Sequence, residues 1–257
     1  MKTTLFIIPL VSLAFLPMVQ AATIGTDAAN DAAYNTITNW SDGTDGGGTA
    51  AFGTWSLSSD GAQAGHFISS ATTGIETGGE TFAMFGHKDG MIEKEATAFR
   101  SFDTDLALGQ TFSIQLKVNF RNGNKGFDLR DGGTTIFNLN VGTNDYTVNN
   151  VDSGGGFIFG NTYDINTIFT ISMLQTSGAG GTWQVVRSGG LSGTANGTYL
   201  GVADNFKLYI KGADNGDDTN QLFVNNISIV PEPTTLGMIG VAMALGSLIN
   251  ARRRRLS

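Results

Sequence analysis

Few residues in this 257-residue chain are suited to chemistry, and most of those are carboxylates. Glu93 and Glu95 stand two apart, so on one strand both would face the same way, as a pair of acids acting on a glycosidic bond must. The residue between them is Lys94 and no aromatic side chain flanks them, so a solvated charged edge is the better reading and no catalytic residue is expected. Asp214, Asp217 and Asp218 surround Gly216 in a hard-oxygen cluster of the kind that holds Ca²⁺, without EF-hand spacing or its distal glutamate. Ca²⁺ at these three aspartates is the one cofactor expectation. Asp42, Asp45 and Asp60 are scattered in similar glycine-rich contexts. Two histidines, His66 and His87, are too few for a multi-histidine transition-metal site, and neither neighbours a serine–aspartate arrangement. The absence of cysteine excludes thiol catalysis, thiolate-bound zinc and disulfides. Gly46–Gly48 and Gly154–Gly156 lack the lysine of a phosphate loop. Trp40, Trp55, Trp183, Tyr146 and Tyr199 are candidate stacking faces for sugars, against the commoner placement of such rings in a core.

The remaining pointed feature is a lone carboxylate between two prolines, Pro231-Glu232-Pro233. Each proline fixes its own φ and pushes its predecessor away from helix, so Glu232 is presented on a stiff, extended segment. An apolar run follows, and Thr234–Ala251 would make about 27 Å of helix at ~1.5 Å per residue, enough to cross a hydrocarbon core. Arg252, Arg253, Arg254 and Arg255 come next, and clustered cations beside a span stay cytoplasmic. At the other end, Lys2, an apolar stretch from Leu5 to Val19 and the small residue Ala21 read as a secretory signal peptide over residues 1–21. The expected topology is therefore an exported body with a C-terminal stop-transfer helix.

Between the two ends, composition describes a folded, turn-rich domain. The chain holds 36 glycines but only 4 prolines, and 17 phenylalanines recur in short alternating runs. Residues 22–231 carry 10 basic and 21 acidic side chains, a balance of −11, which disfavours nucleic acid as a partner. Phe112, Ile114, Leu116, Val118 and Phe120 alternate with polar residues over Thr111–Phe120, the clearest strand. Further strands are expected at Phe127–Arg130, Thr134–Val141, Tyr146–Val148, Phe157–Phe159, Ile168–Leu174, Trp183–Arg187, Phe206–Lys211 and Leu222–Val230. Weaker candidates are Gly53–Leu57, His66–Ser69, Thr81–Phe85 and Thr97–Phe102, and Asp27–Tyr34 could form at most a turn or two of helix. A dozen short strands without helical crossovers predict an all-β fold, an antiparallel β-sandwich of the jelly-roll or concanavalin-A-like type, over residues 22–229.

The order of Val230-Pro231-Glu232-Pro233, apolar span and arginine cluster closely resembles the PEP-CTERM sorting signal of Gram-negative bacteria, over residues 230–257. The resemblance implies that Pro231, Glu232 and Pro233 are read by an exosortase, that residues 234–251 anchor the chain transiently in the inner membrane, and that the product reaches the cell surface or an exopolysaccharide matrix. The body resembles the glycine-rich ectodomains that precede this signal, most distinctively in Asn119–Asp128, a likeness that implies fold rather than activity. Laminarinase-like jelly rolls carry a further acid between their two glutamates, where this chain has Lys94. The expected function is a non-enzymatic surface or matrix protein, either glycan-binding or structural; the alternative is a secreted jelly-roll glycoside hydrolase, or a protein that self-associates through polar strand edges.

Overall fold

Alternation of apolar and polar side chains decides the architecture, because each strand then has one face to bury. The computed structural model describes residues 24–34, 40–45, 51–142, 145–213 and 220–231. The signal-peptide, transmembrane-helix and arginine-cluster expectations lie outside these residues. Within them all paired strands are antiparallel, and the expected antiparallel β-sandwich is what forms.

One sheet has eight strands. In spatial order they are β15 (Gly193–Leu200), β14 (Gly180–Ser188), β13 (Ile168–Ser177), β8 (Gln110–Val118), β17 (Leu222–Pro231), β4 (Thr81–Gly86) and β3 (Ala64–Ser69), with β1 (Gly25–Asp27) added to the far end of β17. The other has seven: β12 (Gly156–Phe157), β11 (Thr147–Asn149), β10 (Thr134–Asn140), β9 (Asn124–Asp131), β16 (Asn205–Lys211), β7 (Glu95–Phe102) and β2 (Phe52–Ser59). A small hairpin, β5 (Lys88–Asp89) with β6 (Ile92–Glu93), stands apart from both.

The inner faces share one core. Phe112, Ile114 and Leu116 of the eight-stranded sheet are fully buried against Phe127, Leu129, Phe206 and Leu208 of the seven-stranded sheet. Phe112 stacks on Phe127 with ring centres 5.8 Å apart and touches Phe206 at 5.2 Å. The candidate stacking rings Trp40, Trp55, Trp183, Tyr146 and Tyr199 are each no more than 2% exposed, so none offers a face to a sugar. Trp183 donates to the Ser153 carbonyl at 3.1 Å and Tyr199 to Gln175 at 3.0 Å, which satisfies their polar ends inside the protein.

A buried ion pair crosses this core. Asp27, at the end of β1, accepts from the guanidinium of Arg100 on β7, and the two side chains are 1% and 2% exposed. Tyr34 donates to both Asp27 oxygens at 3.0 and 3.1 Å, and Trp55 Nε1 donates to Asp27 at 3.2 Å and to the Tyr34 oxygen at 2.9 Å. Arg100 spends its other donors on the Gly53 carbonyl at 2.7 Å and Asp45 at 3.0 Å. Its guanidinium also lies 5.1 Å from the ring centres of both Phe52 and Trp55. Burial pulls the Arg100 guanidinium down to about 10 while Asp103 acts the other way, so it stays charged at neutral pH.

One sequence expectation is corrected. Phe120 is 47% exposed, because β8 ends at Val118 and the Phe120 carbonyl is held in a turn by the Lys125 ammonium at 2.7 Å. Over Asp27–Tyr34 the expected turn or two forms: Asp27 ends β1, and two i→i+3 turns follow, Asp31 to Ala28 and Tyr34 to Asp31.

Removing one partner of the buried pair strands the other charge. Asp27→Ala should therefore cost about 3–5 kcal/mol in urea unfolding, whereas replacing both Asp27 and Arg100 by apolar residues of similar volume should recover most of that loss.

Candidate polysaccharide-binding face

The outward positions of the seven-stranded sheet fall into two adjacent rows. Strand register sets one row as Ser58, Thr97, Tyr209, Gly126, Asn140, Thr147 and Phe157. The next contains Ser56, Phe99, Lys207, Asp128, Asn138 and Asn149. Across the six strands from β2 to β11, five spacings of ~4.8 Å give a width of about 24 Å.

The second row is joined side chain to side chain. Asn149 donates to Asn138 at 3.2 Å, and Asn138 donates to Asp128 at 2.7 Å. The other Asp128 oxygen pairs with Lys207 at 3.1 Å. Asn138 also donates to the Tyr209 hydroxyl at 2.8 Å, which ties the two rows together. Tyr209 reaches that far because it crosses Gly126, where an added Cβ would lie 2.9 Å from its hydroxyl and 1.9 Å from the Leu139 carbonyl. Burial raises the Tyr209 hydroxyl well above the usual tyrosine range, so it stays a neutral donor. Lys207 lies 5.5 Å from the Tyr209 ring centre.

Beside these groups Asn140 donates to Asn124, and Lys211 faces Glu95 at 3.9 Å. Together Glu95, Asn124, Asp128, Asn138, Asn140, Lys207 and Tyr209 line a shallow polar depression of about 280 Å³. Phe157 lies at the β12 end of the first row, beyond Thr147 with which it pairs, 74% exposed, so its ring shares the face. Locked amides, two carboxylates, an ammonium and an exposed aromatic ring are groups that recognise hydroxyl-rich, partly apolar rings.

Asn119–Asp128, the distinctive stretch, supplies much of this. Asn124 and Asp128 point outward, Gly126 makes room for Tyr209, and Lys125 and Phe127 point inward. Lys125 is fully buried, and its ammonium donates to the carbonyls of Phe120 and Asn220 and to Asn122 at 2.7, 2.9 and 3.1 Å. It pins the turn before β9 to the start of β17.

The other sequence candidates are dispersed. Glu93 is on β6 and Glu95 on β7, separated by Lys94, whose amide bonds the His87 carbonyl at 3.0 Å; they do not share one strand face. Asp42 accepts the Leu57 amide at 2.8 Å, Asp60 accepts the Glu95 amide at 3.1 Å, and Asp45 serves Arg100. Asp214, Asp217 and Asp218 lie outside the described residues, as do Glu232, Pro233 and Arg252–Arg255. Among the described residues no group of three or more acidic or histidine side chains is placed to hold a metal. No helix among them is long and apolar enough to cross a membrane.

At the chain's C-terminal side, β17 runs through Pro231, which lies opposite Gln110. The family model for the PEP-CTERM protein-sorting motif matches residues 230–255. This chain carries a PEP-CTERM sorting signal. The motif implies export and sorting to a surface or membrane-associated location. No curated protein matches the chain. Among solved structures it is similar to a sialidase, at 14% identity and a TM-score of 0.45 over 68% of this chain and only 16% of that one. It is also similar to the binding domain of botulinum neurotoxin DC in complex with SialylT (12% identity, TM-score 0.43, 84% of this chain and 49% of that one). A third is lectin I-B4 from Griffonia simplicifolia, in metal-free form (10%, 0.35, 67% and 98%). At these levels of similarity they carry no argument about ligand or activity.

Proposed function

We propose that this PEP-CTERM protein is exported, processed by an exosortase and delivered to the cell surface or extracellular matrix, where its body binds polysaccharide without cleaving it. The observation that carries the binding reading is the pair of outward rows on the seven-stranded sheet, cross-linked through Asn149, Asn138, Asp128 and Lys207 and edged by Phe157. Groups held in place by one another lose little entropy when a ligand arrives. An elongated face suits a chain lying across the strands better than a single buried sugar.

Two observations support a non-catalytic role. Asp128 is tied into the side-chain network, with one oxygen on Asn138 and the other on Lys207. Glu95, the other carboxylate of the depression, sits beside Lys211 at the rim rather than in an apolar pocket of the kind that tunes a general acid. The balance of −11 over residues 22–231 repels polyanions, so the favoured ligand is an uncharged polysaccharide.

Phe157→Ala should weaken retention of the protein on a neutral polysaccharide column about five- to tenfold while leaving the unfolding midpoint unchanged, since the ring is exposed. Asn138→Ala combined with Asp128→Ala should abolish retention; unchanged retention in both variants would refute the binding face. For the sorting step, Glu232→Ala should leave the C-terminal helix uncleaved and the protein in the membrane fraction. Identical intact mass and location for variant and parent would contradict exosortase recognition of Pro231-Glu232-Pro233.

A further inference from the structure

A second cleft opens on the other sheet. Phe67, Phe85, His87, Ser69, Ser70 and Gln221 help line a space of about 540 Å³ beside the edge strand β3 and its neighbour β4, within the range of small-ligand sites. Its floor is aromatic: Phe67 and Phe85 are both half-buried, with ring centres 6.2 Å apart. Phe85 lies flat because its cross-strand partner is Gly65, where a Cβ would come within 2.9 Å of the ring.

His87 forms one wall. The residue is only 7% exposed, its ring centre is 5.2 Å from that of Phe85, and its Nε2 has no hydrogen-bond partner. Its backbone is clamped, the amide donating to the Gln63 carbonyl at 2.8 Å and the carbonyl accepting from Lys94 at 3.0 Å. A buried imidazole nitrogen without a partner is a cost the fold carries unless a ligand supplies one. A hydroxyl both donates and accepts, so it satisfies that nitrogen in either tautomer. Ser69, Ser70 and Gln221 add further hydrogen-bonding groups, and no lining residue other than His87 can carry a charge.

We infer that this cleft is a second saccharide site, which takes one or two uncharged sugar rings stacked on Phe85 and Phe67 with a ring hydroxyl on His87. An aromatic floor receives the apolar face of a pyranose, and the polar rim receives its edge. The cleft belongs to the eight-stranded sheet and the polar rows to the seven-stranded one, on opposite sides of the sandwich. If the polar face binds as read above, each molecule then bridges two polysaccharide chains, and the cleft's own binding does not depend on that reading.

The test uses the two histidines as reporters. The full chain in detergent, with ¹³C-labelled histidine, gives one imidazole signal each for His66 and His87, assigned with His87→Gln. Titration with cellobiose, maltose and lactose to about 20 mM, the range of weak single-site affinities, should shift the His87 signal saturably and leave that of His66 in place. Phe85→Ala should weaken the response about tenfold, and Ser70→Trp, which plugs the exposed rim without touching the core, should abolish it. Asp128→Ala should leave it unchanged, which separates this site from the polar face. A His87 signal that no disaccharide moves, or that phenol moves and no sugar does, would overturn the assignment, as would a full response in Ser70→Trp.

Discussion

The contact on which the rest of the structure depends is Asp27 with Arg100. The carboxylate comes from β1 in the eight-stranded sheet and the guanidinium from β7 in the seven-stranded sheet, so one ion pair fixes the two layers relative to each other. Burying two charges is costly, and the fold meets that cost by filling nearly every donor and acceptor with Tyr34, Trp55, Gly53 and Asp45. The arrangement also helps order the N-terminal turn, where Tyr34 bonds Asp27 and packs edge-on against Phe82 with ring centres 4.9 Å apart. With β7 so held, its alternate residues Thr97 and Phe99 are presented outward in register with β16, where the polar rows begin.

The outer faces of the two sheets are put to different uses. On the eight-stranded sheet, the segment between β3 and β4 folds back over Ala83 and Phe223, bringing Ile75 into a small satellite core. Asn225, wholly buried, anchors it by donating to the carbonyls of Ile75 and Glu80 at 3.0 Å each. Asn226 takes a φ of +54° at the bulge that makes this possible, where β17 changes its neighbour from β4 to β1. Among the described residues, no such segment folds over the polar rows of the seven-stranded sheet. Its outward side chains bond to one another instead, which leaves a stiff, hydroxyl-seeking surface open to a long ligand.

Much of the fold was legible because Thr111–Phe120, Ile168–Leu174 and Phe206–Lys211 alternate cleanly, and each is a strand within a few residues of its expected bounds. β15 was not legible. Its sequence, Gly-Thr-Ala-Asn-Gly-Thr-Tyr-Leu, offers little to bury, and it becomes a strand by pairing with β14 along its whole length. The sorting signal was legible because its information is local: proline stiffness, one carboxylate, an apolar run and a cationic end. The polar face was not, because Asn138, Lys207 and Tyr209 each look like an ordinary solvent-side residue on its own strand. Only register across β9, β10 and β16 brings them together. His87 was likewise an isolated turn residue until the pairing of Gly65 with Phe85 made a cleft beside it.

The central claim is that polysaccharide lies on the seven-stranded sheet, and lysine footprinting tests it most directly. The protein would be acetylated with and without a neutral polysaccharide, and each lysine's modification read by peptide mass. Lys207 and Lys211 should be protected, while in Ser70→Trp, whose cleft beside His87 is plugged, Lys88 on the outlying β5–β6 hairpin should react as before. Equal modification of Lys207 and Lys88 in the presence of bound polysaccharide would place the ligand elsewhere and contradict the account.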